Sequence, residues 1–80
     1  MSSIVPFISN AMFEAADIRV MSDAYNRAME EIYGFGRPNQ IVEEIVAKRI
    51  IMLTKGGEHD PDRLRESALA ACGYTLDRVG

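Results

Sequence analysis

Apolar side chains recur along this chain at helical intervals, and no segment alternates apolar with polar as a half-buried strand would. Ile18, Met21, Tyr25, Ala28, Ile32 and Phe35 follow one another at steps of three, four, three, four and three, with Met29 beside them. Side chains so spaced share one arc of a helix. Arg19, Asp23, Asn26, Arg27 and Glu30 fall on the opposite side, where Arg19–Asp23 and Asp23–Arg27 have i,i+4 spacing. The pattern predicts a first helix over about 14–33.

Gly34-Phe35-Gly36-Arg37-Pro38 interrupts that period, and a second helix is expected over about 39–55, closed by Gly56 in the left-handed conformation. Its apolar arc is unusually wide. Ile41, Val42, Ile45, Val46, Ile50, Met52 and Leu53 span half the circumference, and Ala47 with Ile51 form a second patch across from Val42. Burial of the first arc would leave Ile51 in water, so the helix is expected to be covered on more than one side, most simply by another subunit. Arg49 falls inside the wide arc. An unpaired buried guanidinium is strongly unfavourable, so its head must reach the rim or meet a carboxylate such as Glu30 or Glu31. Glu44 and Lys48 read as a solvated i,i+4 pair.

The stretch "GGEHDPDRLRES" at 56–67 admits two readings. Glu58-His59-Asp60-x-Asp62 has the residue types of a metal site, yet His59 is the only histidine and Cys72 lies on the apolar side of the next helix. Asp60 directly before Pro61 is a helix start, with Asp62 in the first turn where the helix dipole favours a negative charge. The stretch is therefore read as a hinge, and no metal site is expected. A third helix follows over about 61–72, with Leu64, Ala68 and Ala71 on one face, Cys72 at its edge, and Gly73 ending it. Residues 1–12 are expected to form an extended N-terminal arm in which Ile4, Val5, Phe7 and Ile8 dock around Pro6. Leu76 and Val79 are placed to pack back from the other end. The architecture expected is all-α: one domain over 1–80, a long antiparallel helix pair plus a short third helix.

Composition adds constraints. A chain of 80 residues buries only about 60% of the surface its unfolded form exposes, so its own core is small. The longest apolar run, Ile50-Ile51-Met52-Leu53, falls far short of the roughly 20 residues that span a bilayer. "MSSIVPFIS" has no basic residue and does not read as a secretory signal. A single cysteine forms no internal disulfide, which fits a cytoplasmic location. Net charge is −3, and the middle of the chain, 37–57, carries four bases and two acids between flanks that are both acidic. No concentrated basic face results, so nucleic acid is not expected as a partner, and neither is a membrane.

The chemistry-bearing residues do not assemble into a catalytic set. No Ser/His/Asp group, Cys/His pair or Gly-rich phosphate loop is present. The paired acids Glu30-Glu31 and Glu43-Glu44 diverge by about 100° on a helix and cannot act as an acid/base couple. No enzymatic activity and no cofactor are expected. The role expected is self-association, as a homodimer, or association with another protein. Ile45, Arg49, Ile51, Met52, Tyr25 and Phe7 are the candidate interface. The alternative is a small DNA-binding regulator, because "RLRESALAACGYTLDRV" places a helix, a glycine and a polar turn in helix-turn-helix order. Lys48, Arg49, Lys55, Arg63 and Arg65 would then contact phosphate. Against it, Asp60, Asp62, Glu66 and Asp77 would sit near phosphates, and a recognition helix would have to be completed before Gly80.

"VPFI", "FEAADIRVMSDAYNRA" and above all "EIVAKRIIMLTKGGEHDPDRLRESAL" together resemble a group of short helical proteins typical of alphaproteobacteria. The resemblance runs from about Val5 to Gly73, and its most specific part is "AKRII" followed by a glycine and "DPDRL". In that pattern a proline commonly follows the acidic residue after Phe13, whereas this chain has Ala15, which weakens the start signal of the first helix. The resemblance implies a small helical cytoplasmic protein and supplies no catalytic residues.

Overall fold

Three of the helix boundaries are set by local chemistry that the backbone then obeys. The computed structural model describes residues 4–8, 13–34, 36 and 39–73, and all of its regular structure is helical. Four helices are present among these residues: α1 (Val5–Ile8), α2 (Ala15–Tyr33), α3 (Gln40–Lys55) and α4 (Pro61–Ala71). The Asn39 side chain accepts from the amide of Val42 at 2.9 Å and so starts α3. The Asp60 carboxylate accepts from the amide of Asp62 at 3.0 Å, with Pro61 in the first turn, and so starts α4. α2 begins after Glu14 with no side-chain cap, as the alanine at position 15 foreshadows.

The turn between α3 and α4 corrects one detail of the sequence reading. Gly56 keeps a right-handed conformation at φ −79°, and it is Gly57, at φ +107°, that takes the conformation side chains rarely adopt. The amide of Glu58 then donates to the Leu53 carbonyl at 3.0 Å, closing the end of α3.

Residues 1–12 are not an extended arm throughout, because Val5–Ile8 form one helical turn. Ile4 and Ile8, four apart on one side of that turn, are both buried, and α1 packs on α3. Pro6 is tolerated because it sits in the first turn, where no amide is required. The expected packing of Leu76 and Val79, and the place of Phe35 in the α2 stripe, lie outside the described residues.

The core sits where α2, α3 and α4 meet, each of the three packing on both others. α2 contributes Met21, Ala24, Tyr25, Ala28, Met29 and Ile32, which adds Ala24 to the expected arc, while Ile18 is only half-buried. α4 contributes Leu64, Ala68 and Leu69. α3 is turned relative to the sequence reading. Its buried residues are Val46, Ala47, Ile50 and Thr54, with Val42, Ile51 and Leu53 half-buried beside them. Ile41, Ile45 and Met52, expected in the covered arc, are instead 65%, 36% and 53% exposed. The cause is Arg49. The wide arc has a guanidinium near its middle, and burying that arc would bury the charge. Turning the helix toward Ala47 and Thr54 keeps Arg49 in water, and the Thr54 hydroxyl is satisfied by donating to the Ile50 carbonyl at 2.9 Å. Ile51, expected to need cover from another subunit, packs against the core of its own chain.

Truncation should report this orientation directly. Ile50→Ala should cost about 2–5 kcal/mol of stability as a buried aliphatic deletion, whereas Asp60→Ala should cost about 0.5–2 kcal/mol through loss of its cap. Urea unfolding followed by circular dichroism measures both.

Candidate functional site

Two features of the surface remain once the core is assigned: an ion-paired seam between α2 and α4, and an apolar stripe along the outside of α3. The seam is built from side chains that the helical periods of α2 and α4 bring together. Arg65 of α4 pairs with Glu31 of α2, and also lies near Asp62 at 3.9 Å and Glu66 at 3.8 Å. Asp62 in turn accepts from Arg27 at 3.0 Å, and Arg27 reaches Asp23 at 3.3 Å on its own helix. Farther along, His59 Nδ1 lies 3.3 Å from Asp17. The hydrogen bond to Glu31, reinforced by the other two acids, holds the Arg65 guanidinium more firmly protonated than usual despite its partial burial.

The seam reassigns two residues. Glu31, considered as a partner for Arg49, is taken by Arg65, and Arg49 is exposed. Arg65, considered for phosphate contact, is enclosed by three carboxylates and faces another helix. Arg63 likewise lies 4.0 Å from Asp60. Among the described residues no three His, Cys, Asp or Glu side chains gather as a metal would require, and His59 engages Asp17 alone.

The stripe consists of Ile41, Ile45 and Met52, with Lys48 among them and Arg49 on one border. Positions four and seven apart lie on one side of a helix, so the three apolar side chains are contiguous. Ile45, Lys48, Arg49 and Met52 also line a groove of about 390 Å³ whose far wall is Ala71 at the end of α4. Among the described residues Glu44, Lys48 and Arg49 make no ion pair, so the i,i+4 spacing of Glu44 and Lys48 is not used within the chain.

Of the six interface candidates, Ile45, Arg49 and Met52 come together on this face. Tyr25 does not belong to it: its side chain is fully buried among the core helices, where the α2 arc places it. Phe7 and Ile51 are half-buried and pack against the core. Ile41 completes the stripe and was overlooked as a surface residue because its position on the wide arc suggested burial.

Cys72 is partly buried at the end of α4, with its sulfur 3.9 Å from the Val42 carbonyl, and burial pushes its thiol up from its ordinary value. No helix among the described residues is long and apolar enough to cross a membrane. The chain matches no family model, and neither the curated proteins nor the solved structures yield a significant match.

Two outcomes follow from this geometry. A double-mutant cycle on Glu31→Gln and Arg65→Gln should return a coupling of about 1 kcal/mol, since the pair is only partly shielded from water. Alkylation of Cys72 at pH 8 should be slower in the folded protein than in urea, because a raised thiol pKa leaves less thiolate; mass spectrometry of the iodoacetamide-treated chain reads the difference.

Proposed function

We propose that this protein acts by binding protein, through the outward face of α3, and carries out no chemistry of its own. In this reading the long helices α2 and α3 form an antiparallel platform that α4 closes from one side. The observation that carries it is the stripe itself. Three large apolar side chains lie contiguous and exposed on a helix whose opposite face already supplies the core. Single exposed apolar residues are ordinary, whereas a contiguous set beside a groove is the usual mark of an interaction surface. Helix faces with anchors at i, i+4 and i+11 are also a recurring mode of protein recognition.

The DNA-binding alternative is less well supported. Its basic residues are divided between the two sides of the molecule's chemistry: Arg65 and Arg63 are engaged by acids of the α2–α4 region, and only Lys48, Arg49 and Lys55 stand free of that network. Acids at 60, 62 and 66 border the helix that would approach phosphate.

The test is to place a charge in the stripe without touching the core. Ile41→Glu and Met52→Glu should leave the helical circular dichroism and the melting transition of the chain's fold intact, because both positions are more than half exposed. Light scattering across a concentration series should show association in the parent chain and its loss in both variants. Association that survives both substitutions unchanged would move the interface elsewhere.

A further inference from the structure

We infer that the occupant of the α3 stripe is a second copy of this chain, its α3 lying antiparallel across the first, with Glu44 and Lys48 setting the register. The inference rests on the reading that this stripe is an interaction surface, and it specifies what binds there and how.

The stripe positions Ile41, Ile45, Lys48 and Met52 are spaced four, three and four, the spacing of a helix–helix seam. One of the four is a lysine, and that decides the direction. In a parallel pair each seam position meets its own counterpart, so Lys48 would face Lys48 at the centre of an apolar contact. In an antiparallel pair crossing at the level of Val46 and Ala47, Ile41 meets Met52 of the second copy, and Ile45 meets Lys48. Glu44 borders the stripe on the same flank as Lys48, about 40° away around the helix. An antiparallel two-fold brings that flank against itself, so Glu44 of each copy comes beside Lys48 of the other.

The pattern is thus close to self-complementary. Positions 41 and 52, both large and apolar, are centred between Val46 and Ala47, and positions 44 and 48, one acid and one base, are centred half a residue away at Val46, an offset that a lysine and a glutamate side chain readily span. A surface evolved for an unrelated partner has no reason to carry that symmetry, whereas an isologous contact requires it. The two charged residues are also exposed and make no ion pair within the described chain, so each is available to the other copy. Lys48 then contributes its aliphatic stem to the seam and its ammonium to the rim. Arg49 borders the opposite flank and keeps its guanidinium in water.

Sedimentation equilibrium of the full chain from about 1 µM to about 1 mM tests the inference. The parent chain should dimerise. Glu44→Lys and Lys48→Glu should each weaken the homodimer at least about tenfold, because each sets like charges together at both ends of the two-fold contact. An equimolar mixture of the two variants should recover the parent's dimer affinity, since one chain then presents lysine at 44 and 48 and the other glutamate at both. Both substitutions are on exposed positions, and circular dichroism should show the parent's helical spectrum in each. For direction, chains carrying Ile41→Cys and Met52→Cys in a Cys72→Ser background should cross-link with each other and not with themselves. A homotypic cross-link at either position would overturn the antiparallel arrangement, and unchanged dimerisation of the two charge variants would overturn the register, while loss of association in Ile41→Glu would still uphold the stripe as an interface. A parent chain monomeric at every concentration would overturn the second copy as occupant.

Discussion

The arrangement of this protein turns on the requirement that one guanidinium remain in water. α3 has more apolar positions than a single face can bury, and Arg49 falls near the middle of the widest run of them. Glu31, one of the two carboxylates considered for it, is already held by Arg65. The helix therefore buries the side carrying Val46, Ala47, Ile50 and Thr54, even though this side includes an alanine and a threonine in place of larger apolar groups. The hydroxyl costs little there, since it returns its proton to a carbonyl of its own helix. The displaced apolar residues, Ile41, Ile45 and Met52, become the exposed stripe. Core and surface are in this sense one decision, taken at Arg49.

The short α4 is what makes that decision affordable. It packs on both longer helices, and Leu64, Ala68 and Leu69 reach the common core. On the solvent side of its contact with α2, Arg65, Asp62 and Arg27 form a chain of alternating charge that ends at Glu31 and Asp23. Exposed pairs of this kind contribute little individually, but they fix the rotation of α4 against α2 by matching particular positions. The hinge at 56–60 then has to deliver α4 in one orientation, which the positive φ of Gly57 and the cap at Asp60 arrange between them.

Much of this was legible in the sequence, for identifiable reasons. Boundaries written as local chemistry could be read: Asn39, Asp60-Pro61 and Gly73 each act on backbone groups within a few residues of themselves. The α2 arc was equally clear, because its polar side is continuous and leaves one orientation open. The rotation of α3 was not, since a helix apolar over more than half its surface gives periodicity no single answer. Arg49 held the missing signal: a charge inside an apolar arc marks the edge of burial as well as an exception to it. The pairing of Arg65 with Glu31 joins residues 34 apart in sequence and depends on how two helices cross, which no local pattern encodes. The turn at Val5–Ile8 was hidden by Pro6, whose helix-breaking character applies to helix interiors and not to a first turn. Of the candidate interface residues, Ile45, Arg49 and Met52 lie exposed on α3, and Tyr25 lies in the core, since a large amphipathic ring satisfies core and interface criteria alike.

Four of the fully buried residues are alanines: Ala24 and Ala28 on α2, Ala47 on α3 and Ala68 on α4. Alanine at such places acts as a spacer that sets how near two backbones come. Enlarging one by even a methyl group or two pushes whole helices apart, a strain of about 1–3 kcal/mol at each site. A domain of this size has a total stability of only about 5–15 kcal/mol, so little such strain can accumulate. The buried alanines therefore tolerate little enlargement, just as the larger core residues tolerate little truncation, and neutral drift is channelled toward the exposed positions. Over evolutionary time such a chain would keep its thickness while its outward face was free to acquire new affinities.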